Sequence, residues 1–384
     1  MGSRRMRIVV NAVAARLGGG VRQLNPFLAG LADQLPEAAF EIYVTPEFPD
    51  PIDHDRLHWE IVELPRGVRP SRVYWDNVTL PRLSVSADLL LSPLNFGPLR
   101  IGRPHILFER NALYFDPVFY ASQPLRTRTR LAAFRRYASI TARGADRIIV
   151  PSHTMKNLLS RHVRRSAQIM VIPHGFDAPR AREQSLGRCV DGATPWARHG
   201  LKMLHVGHPG QHKNLDLLVD VLADVVERAP QRDPGLAVTF RSDDSTPTIA
   251  AFAERARARG VIDRITFLGS VPQHAVYPLY RTASVFLFPS FTESFGFPLL
   301  EALAAGTAVV ASDISSNRET AVDHAQYHPP RDASRAADLV LAASTTPELQ
   351  AARFARAAEF SWEAHCSEVA ALIRQLVAGN SPAA

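Results

Sequence analysis

Cysteine, lysine and long apolar runs are what this chain has little of. Two cysteines occur in 384 residues, Cys189 and Cys366. They stand far apart and lack metal-ligand spacing, which argues against a disulfide framework and fits a reducing cytoplasm. No apolar stretch approaches the roughly 20 residues that a bilayer-spanning helix requires. There is no low-complexity segment and no short-period repeat. Lysine is confined to Lys156, Lys202 and Lys213, so nearly all of the basic charge is arginine.

What is present is a globular composition, 46% hydrophobic and 21% charged, with length enough for two or three domains. The first residues, through Arg4, Arg5 and Arg7, lead straight into the apolar Ile8-Val9-Val10. They read as a first strand, not a signal peptide. The net charge is +7, and the densest basic run is Arg126, Arg128 and Arg130, followed by Arg135, Arg136, Arg143 and Arg147. Three readings compete for that run. They are a solvated helix face, which is the default, an anionic membrane or acceptor surface, and nucleic acid, for which no recognition motif is present.

The most informative stretch runs Glu293-Ser-Phe-Gly-Phe-Pro-Leu-Leu-Glu301. The apolar Val285-Phe-Leu-Phe288 precedes it, and Ala302-Leu-Ala-Ala-Ala-Gly306 follows. The pattern predicts a strand, a tight loop and a helix. Glu293 falls in the loop and Glu301 a turn or two into the helix. Pro298 suits the first helical turn and Gly306 the helix end. The loop amides and the helix N-terminus favour an anion such as a phosphate, and two carboxylates can grip sugar or ribose hydroxyls.

Strands and helices alternate on both sides of a polar stretch from about Gly175 to Gly200. In the first half, strands are expected at Arg7–Asn11, Phe40–Val44, Ala87–Ser92, His105–Phe108 and Arg147–Val150. Gly18–Gly20 is expected as a loop before a helix over Val21–Leu35. In the second half, strands are expected at Lys202–Val206, Leu236–Phe240, Ile265–Leu268, Val285–Phe288 and Ala308–Ala311. Alternation of this kind implies parallel sheets covered by helices. A last helix covers Ser361–Ala378. The expected domains are residues 1–177, with the tail helix 361–380 packing back on them, and residues 178–360. Two doubly wound halves place a ligand at the C-terminal ends of their strands.

With those residues in view, the chain resembles glycosyltransferase family 4, the retaining GT-B enzymes that use nucleotide-diphosphate sugars. Phe288-Pro-Ser290, Glu293-Ser-Phe-Gly296 and Glu301 through Gly306 resemble the family's block of two glutamates. Val171-Ile-Pro-His-Gly-Phe-Asp177 is similar to its crossover segment, and His205-Val-Gly207 with Lys213-Asn214 to its second-domain phosphate loop. The resemblance implies an α/β fold with two Rossmann-like, doubly wound parallel-sheet domains facing across a cleft. It implies that Glu301 binds the ribose hydroxyls and that Glu293 lies at the donor sugar. Amides around Phe295, Gly296 and Phe297 would hold sugar or phosphate. Lys213 would neutralise the diphosphate, with no bound metal and no cofactor. Gly18, Gly19 and Gly20 would let the first-domain backbone approach the donor phosphates.

Two departures stand out. His208 occupies the position of a family arginine, and His208, His212 or Arg241 would have to replace its charge. A family histidine after the strand at His105 is replaced by Arg110 or Asn111. Asn111 can donate a hydrogen bond to donor or acceptor but cannot act as a base. His174 reads as a linker residue and Trp362 as a core anchor.

The resemblance thus implies transfer of a hexose from a nucleotide-diphosphate sugar to a hydroxyl of a saccharide, lipid-linked or small-molecule acceptor. Peripheral membrane contact through the basic first half is a further expectation, and no nucleic-acid partner is expected. The alternatives are a catalytically degenerate module that binds a nucleotide sugar or a partner, and another GT-B enzyme such as an epimerase.

Overall fold

The computed structural model describes residues 5–15, 19–64, 69–163, 168–243 and 246–379. The chain divides into two compact units, Met1–Gly175 together with Ser361–Ala384, and Phe176–Phe360.

Unit 1 begins with β1 (Met6–Asn11), α1 (Gly19–Gln34), β2 (Ala38–Val44) and β3 (Leu57–Ile61). Two short helices, α2 (Arg69–Tyr74) and α3 (Leu80–Leu83), lead to β4 (Leu89–Ser92) and β5 (His105–Phe108). Helices α4 (Pro117–Ser122) and α5 (Leu125–Arg143) precede β6 (Arg147–Val150), α6 (His153–Ser160) and β7 (Ile169–Val171). All seven strands are parallel, in the order β3-β2-β1-β4-β5-β6-β7. Ile8, Val9 and Val10 are fully buried because helices cover both faces of the sheet.

Helix α1 starts at Gly19, so Gly19 and Gly20 form its first turn instead of a loop. Glycine's entropic cost falls mainly on helix interiors, so two glycines in the first turn are tolerated. Gly18 lies outside the described residues. Ser152 caps α6 by accepting from the Met155 amide at 3.0 Å.

Unit 2 opens with α7 (Ala178–Ser185) and α8 (Thr194–Ala197), then β8 (Leu201–His205), α9 (Leu215–Arg228) and β9 (Pro234–Val238). It continues through α10 (Pro247–Ala258), β10 (Ile265–Phe267), α11 (Gln273–Thr282) and β11 (Val285–Phe288). Next come α12 (Phe297–Ala304), β12 (Val309–Ser312), α13 (Ser315–Ala321) and β13 (Gln326–His328). Helices α14 (Ala333–Ala342) and α15 (Pro347–Ala358) close the unit. Its six strands are parallel in the order β10-β9-β8-β11-β12-β13.

The last helix, α16 (Trp362–Gly379), belongs to unit 1. It lies on α1, where Cys366, Val369 and Ile373 join Phe27, Leu28 and Leu31 in one apolar core. Trp362 packs against the edge of that core. It also fills the space a side chain at Gly175 would need, since a Cβ there would fall 2.3 Å from the indole.

In each sheet the strand order reverses once, between β1 and β4 in unit 1 and between β8 and β11 in unit 2. At such a reversal the loops after the two strands diverge to opposite faces and leave a crevice at the strands' C-terminal ends. The segments after β8 and β11 are the ones that carry Lys213 and Glu293.

Candidate functional site: a switch-point crevice in unit 2

The loop after β8 ends in one 3₁₀ turn, Gln211–Lys213, and Asn214 then takes a left-handed conformation with φ 52°. Asparagine tolerates that region better than most residues. Its side-chain amide donates to the Pro289 carbonyl at 3.1 Å and the Pro330 carbonyl at 2.7 Å. The Phe291 amide donates to the His212 carbonyl at 2.8 Å. These bonds fasten the segments after β8, β11 and β13 to one another at the same edge of the sheet.

Lys213 and Glu293 meet there. The Lys213 ammonium donates to Glu293 Oε1 at 2.6 Å, with side-chain exposures of 11% and 12%. The same ammonium lies 5.2 Å from the centre of the Phe288 ring. Burial opposes ionisation of Glu293, but neighbouring positive charge, that of Lys213 first, together with hydrogen bonds from Lys213 and Ser290 outweighs it and holds the carboxyl below its ordinary pKa. The site is therefore a compensated ion pair, not an isolated buried charge.

Glu301 sits in the second turn of α12, 8% exposed. Its Oε1 accepts from Gln273 Nε2 at 2.6 Å and its Oε2 from the Tyr280 hydroxyl at 2.9 Å. Both partners come from α11, so the carboxylate is held in one orientation by two neutral donors. Gly296 enters α12 at φ +93°, where a Cβ would also meet Leu299 at 3.3 Å and Phe288 at 3.5 Å. A backbone amide at this entry is all that residue offers. Phe295 is buried and packs edge-on against Phe297 and Phe360, so its ring is structural.

The candidates for the missing positive charge fare differently. Burial pushes His212 down to about 4, so it is neutral near pH 7. His205, beneath the loop, is also pushed to about 4 by burial and hydrogen-bonds the Leu287 carbonyl at 3.0 Å. Arg241 is held by both oxygens of Asp243, at 2.7 and 2.6 Å, in an exposed pair. His208 is exposed on the loop. Lys213 is the buried cation of this crevice among the described residues.

Three sequence candidates lie in unit 1 and are not part of this cluster: Gly19, Gly20 and Asn111. Asn111 follows β5, and its Oδ1 caps the next turn by accepting from the Leu113 amide at 3.1 Å. The capping bond occupies the side-chain oxygen. His174 is buried in unit 1, where burial holds it well below its ordinary pKa.

Gln273, Tyr280 and Asn214 were not foreseen from the sequence as site residues. Each acts through a contact distant in the chain; Asn214 belongs to the Lys213-Asn214 pair of the phosphate-loop resemblance, but nothing in the sequence marked what its side chain touches. Glu109 is another. It is fully buried directly after β5, and its Oε2 has no hydrogen-bond partner. Burial pushes its carboxyl well above the ordinary value.

Comparison with known proteins places this architecture. Sucrose-phosphate synthase from Thermosynechococcus elongatus matches 98% of this chain and 100% of its own, with a TM-score of 0.73 at 21% identity. HepE of Anabaena, solved with UDP, matches 97% of this chain and 100% of its own, with a TM-score of 0.70 at 16% identity. The fold is thus that of the GT-B proteins. Residues 194–359 match the family described as Glycosyl transferases group 1, and residues 25–180 match Glycosyltransferase Family 4. Each of the two matches covers less than half of the chain, and together they make it similar to the family 4 glycosyltransferases along most of its length. A D-inositol 3-phosphate glycosyltransferase of Corynebacterium diphtheriae is 30% identical over 172 residues, 43% of this chain. The aligned stretch spans 40% of that relative's length.

Proposed function

We propose that the protein is a retaining glycosyltransferase that moves a hexose from a nucleoside-diphosphate sugar to an acceptor hydroxyl. The observation that carries this reading is the Lys213–Glu293 pair at the sheet's switch point, beside the entry to the helix that bears Glu301. The two family matches and the UDP complex of the HepE neighbour support a nucleotide donor.

In this reading Glu301 accepts hydrogen bonds from the ribose hydroxyls, oriented by Gln273 and Tyr280. The loop amides at Gly296 and Phe297 meet the sugar or a phosphate at the N-terminus of α12. Lys213 carries three N–H donors, so it can keep Glu293 and still donate to a diphosphate oxygen. Negative charge grows on that diphosphate as the glycosidic bond breaks, and a cation already in place lowers the barrier. Glu293 stays ionised beside Lys213 and accepts from sugar hydroxyls. The leaving phosphate oxygen takes the acceptor proton, so Asn111 is not required as a base and is assigned only a hydrogen bond to donor or acceptor. His208 adds a hydrogen-bonding group to the phosphate loop. The reaction needs no metal and no cofactor. The acceptor is a saccharide, a lipid-linked sugar or a small molecule.

The test is turnover of a panel of uridine, guanosine and adenosine diphosphate sugars, with the anomeric proton of the product read by NMR. The reading expects nucleotide release with the donor's anomeric configuration kept, unchanged by EDTA. Inversion would overturn the stereochemical claim. Tight nucleotide binding with no turnover of any donor would overturn the enzyme reading in favour of a binding module.

A further inference from the structure

Away from the crevice, unit 1 carries an unusual distribution of charge. Helix α5 has six arginines, at 126, 128, 130, 135, 136 and 143, and no acidic residue. Elsewhere in the chain many arginines are matched to carboxylates, as in Arg7–Glu41, Arg72–Asp76, Arg255–Asp220 and Arg374–Glu37. Among the described residues, none of the six on α5 has a carboxylate partner.

The six sort into two sets. Arg128 and Arg135 turn onto the Tyr120 ring, 5.2 and 4.7 Å from its centre. Arg126, Arg130, Arg136 and Arg143 occupy exposed positions, with Thr129 and Ala133 exposed between them. That spacing puts them on one side of a helix whose opposite side buries Leu131, Ala138 and Ala142. The row runs most of the helix, roughly 28 Å for 19 residues. Near its C-terminal end, α5 and the end of α6 enclose a cavity of about 460 Å³ lined by Arg135, Arg136, Ser139, Arg143, Arg161 and His162. Burial lowers the His162 pKa first, and Arg135, Arg161 and Arg143 lower it further, which registers a positive potential there. At the other end Leu125 is 72% exposed, and Val118 on the neighbouring α4 is 74% exposed.

We propose that the outer face of α5 docks the protein on an anionic lipid surface, with the arginine row against headgroup phosphates and Val118 and Leu125 entering the interface. The row of uncompensated guanidiniums matches a plane of phosphates, and guanidinium binds phosphate oxygens through paired N–H donors. The cavity adds a concave place for one headgroup. Two exposed branched apolar side chains at the end of the row favour a lipid interface over nucleic acid, which would not reward them. No helix among the described residues is long and apolar enough to cross a membrane, so the contact is peripheral.

This surface belongs to unit 1 and uses none of the crevice residues of unit 2, so vesicle binding reads it without reference to transfer activity. The full chain is sedimented with vesicles of phosphatidylcholine alone or with about one-third phosphatidylglycerol, at low and high salt. The compared variants are Arg126→Glu/Arg130→Glu/Arg136→Glu, the same three positions changed to lysine, and a charge-matched control, Arg188→Glu/Arg198→Glu/Arg257→Glu. Binding is expected only to the anionic vesicles and is expected to weaken at high salt, because the attraction is screened. At about fivefold per arginine, the glutamate triple should lose about a hundredfold or more in partitioning. The control should bind nearly as the parent does, and the lysine triple should fall between the parent and the glutamate triple, because it keeps the charge but loses the paired donors. A thermal melt of the glutamate triple that matches the parent's shows that the variant is folded. Equal binding to neutral vesicles, no binding to anionic ones, or equal losses in the glutamate triple and the control would each overturn the proposal.

Discussion

Lys213 and Glu293, 80 residues apart in the chain, form a 2.6 Å ion pair where the segments after β8 and β11 diverge. Each charge is largely withdrawn from water, and each is stabilised by the other. Removing one partner leaves a buried charge unmatched, which is costlier than removing both. Lys213→Met is therefore expected to destabilise unit 2 by about 3 kcal/mol. Lys213→Met/Glu293→Gln should fall short of the sum of the two single changes by about 1 kcal/mol or more. Denaturant melts of the four proteins check this, and strict additivity would refute the pairing. If Lys213 also meets the leaving diphosphate, its loss should lower kcat by about a hundredfold or more.

Tyr280 and Gln273 should act on the donor through Glu301. Tyr280→Phe removes one hydrogen bond to the carboxylate, for about 1 kcal/mol of stability. A purely structural role would stop there. A positioning role predicts a higher KM for the nucleotide sugar, with a smaller change in kcat, and the same for Gln273→Ala. Unchanged donor KM in both variants would remove α11 from the account.

Gly296 and Gly260 offer a controlled comparison. Both have positive φ, +93° and +69°, but a Cβ at Gly260 meets nothing within 4 Å, whereas one at Gly296 meets Leu299 and Phe288. Gly260→Ala should cost only the left-handed conformation, about 1 kcal/mol. Gly296→Ala adds the contacts and should cost about 2 kcal/mol or more. Equal melting temperatures for the two variants would contradict the geometry.

Buried histidines, among them His105, His174, His205 and His365, set the response to acid. Burial lowers His105 to about 3, His205 and His365 to about 4, and His174 well below its ordinary value. Unfolded, each takes up a proton below its ordinary value of about 6.5, whereas folded each stays neutral until its own lower value is reached. In that window the unfolded chain binds more protons, so stability falls as pH drops from about 6.5 toward 4. Each histidine contributes a slope of up to about 1.4 kcal/mol per pH unit. Glu293, with its lowered pKa, adds a loss only below the ordinary carboxylate range. His205→Asn should flatten the profile of unit 2 by about one proton's worth between pH 5 and 6. An unchanged slope would mean that His205 is not buried neutral.

Much of this was legible in the sequence. Short apolar runs such as Ile8-Val9-Val10 and Val285-Phe-Leu-Phe288 marked the buried parallel strands, and Ser152 marked a helix start. The Glu293–Glu301 spacing and the place of Lys213 before a helix flagged the crevice residues. The sequence did not reveal what those residues touch. Glu301 is held from α11, and Asn214 ties two loops through contacts 75 and 116 residues away. Side-chain contacts of that range leave no periodicity. The glycines at 19 and 20 misled for a local reason, since a glycine pair suits a loop and a helix's first turn alike. The charge of Arg241 could be counted, but its capture by Asp243 could not be foreseen.

The most direct test of the central claim is nucleotide binding to the Glu301 site. Thermal melts are run with uridine, guanosine and adenosine diphosphates on the parent chain and on Glu301→Ala. At about a hundredfold excess over Kd, a ligand that binds only the folded state adds about 2.7 kcal/mol, so a bound nucleotide should raise Tm by several degrees. The account predicts such a rise with at least one nucleotide and its loss in Glu301→Ala. No rise with any of the three, or an equal rise in the variant, would contradict it.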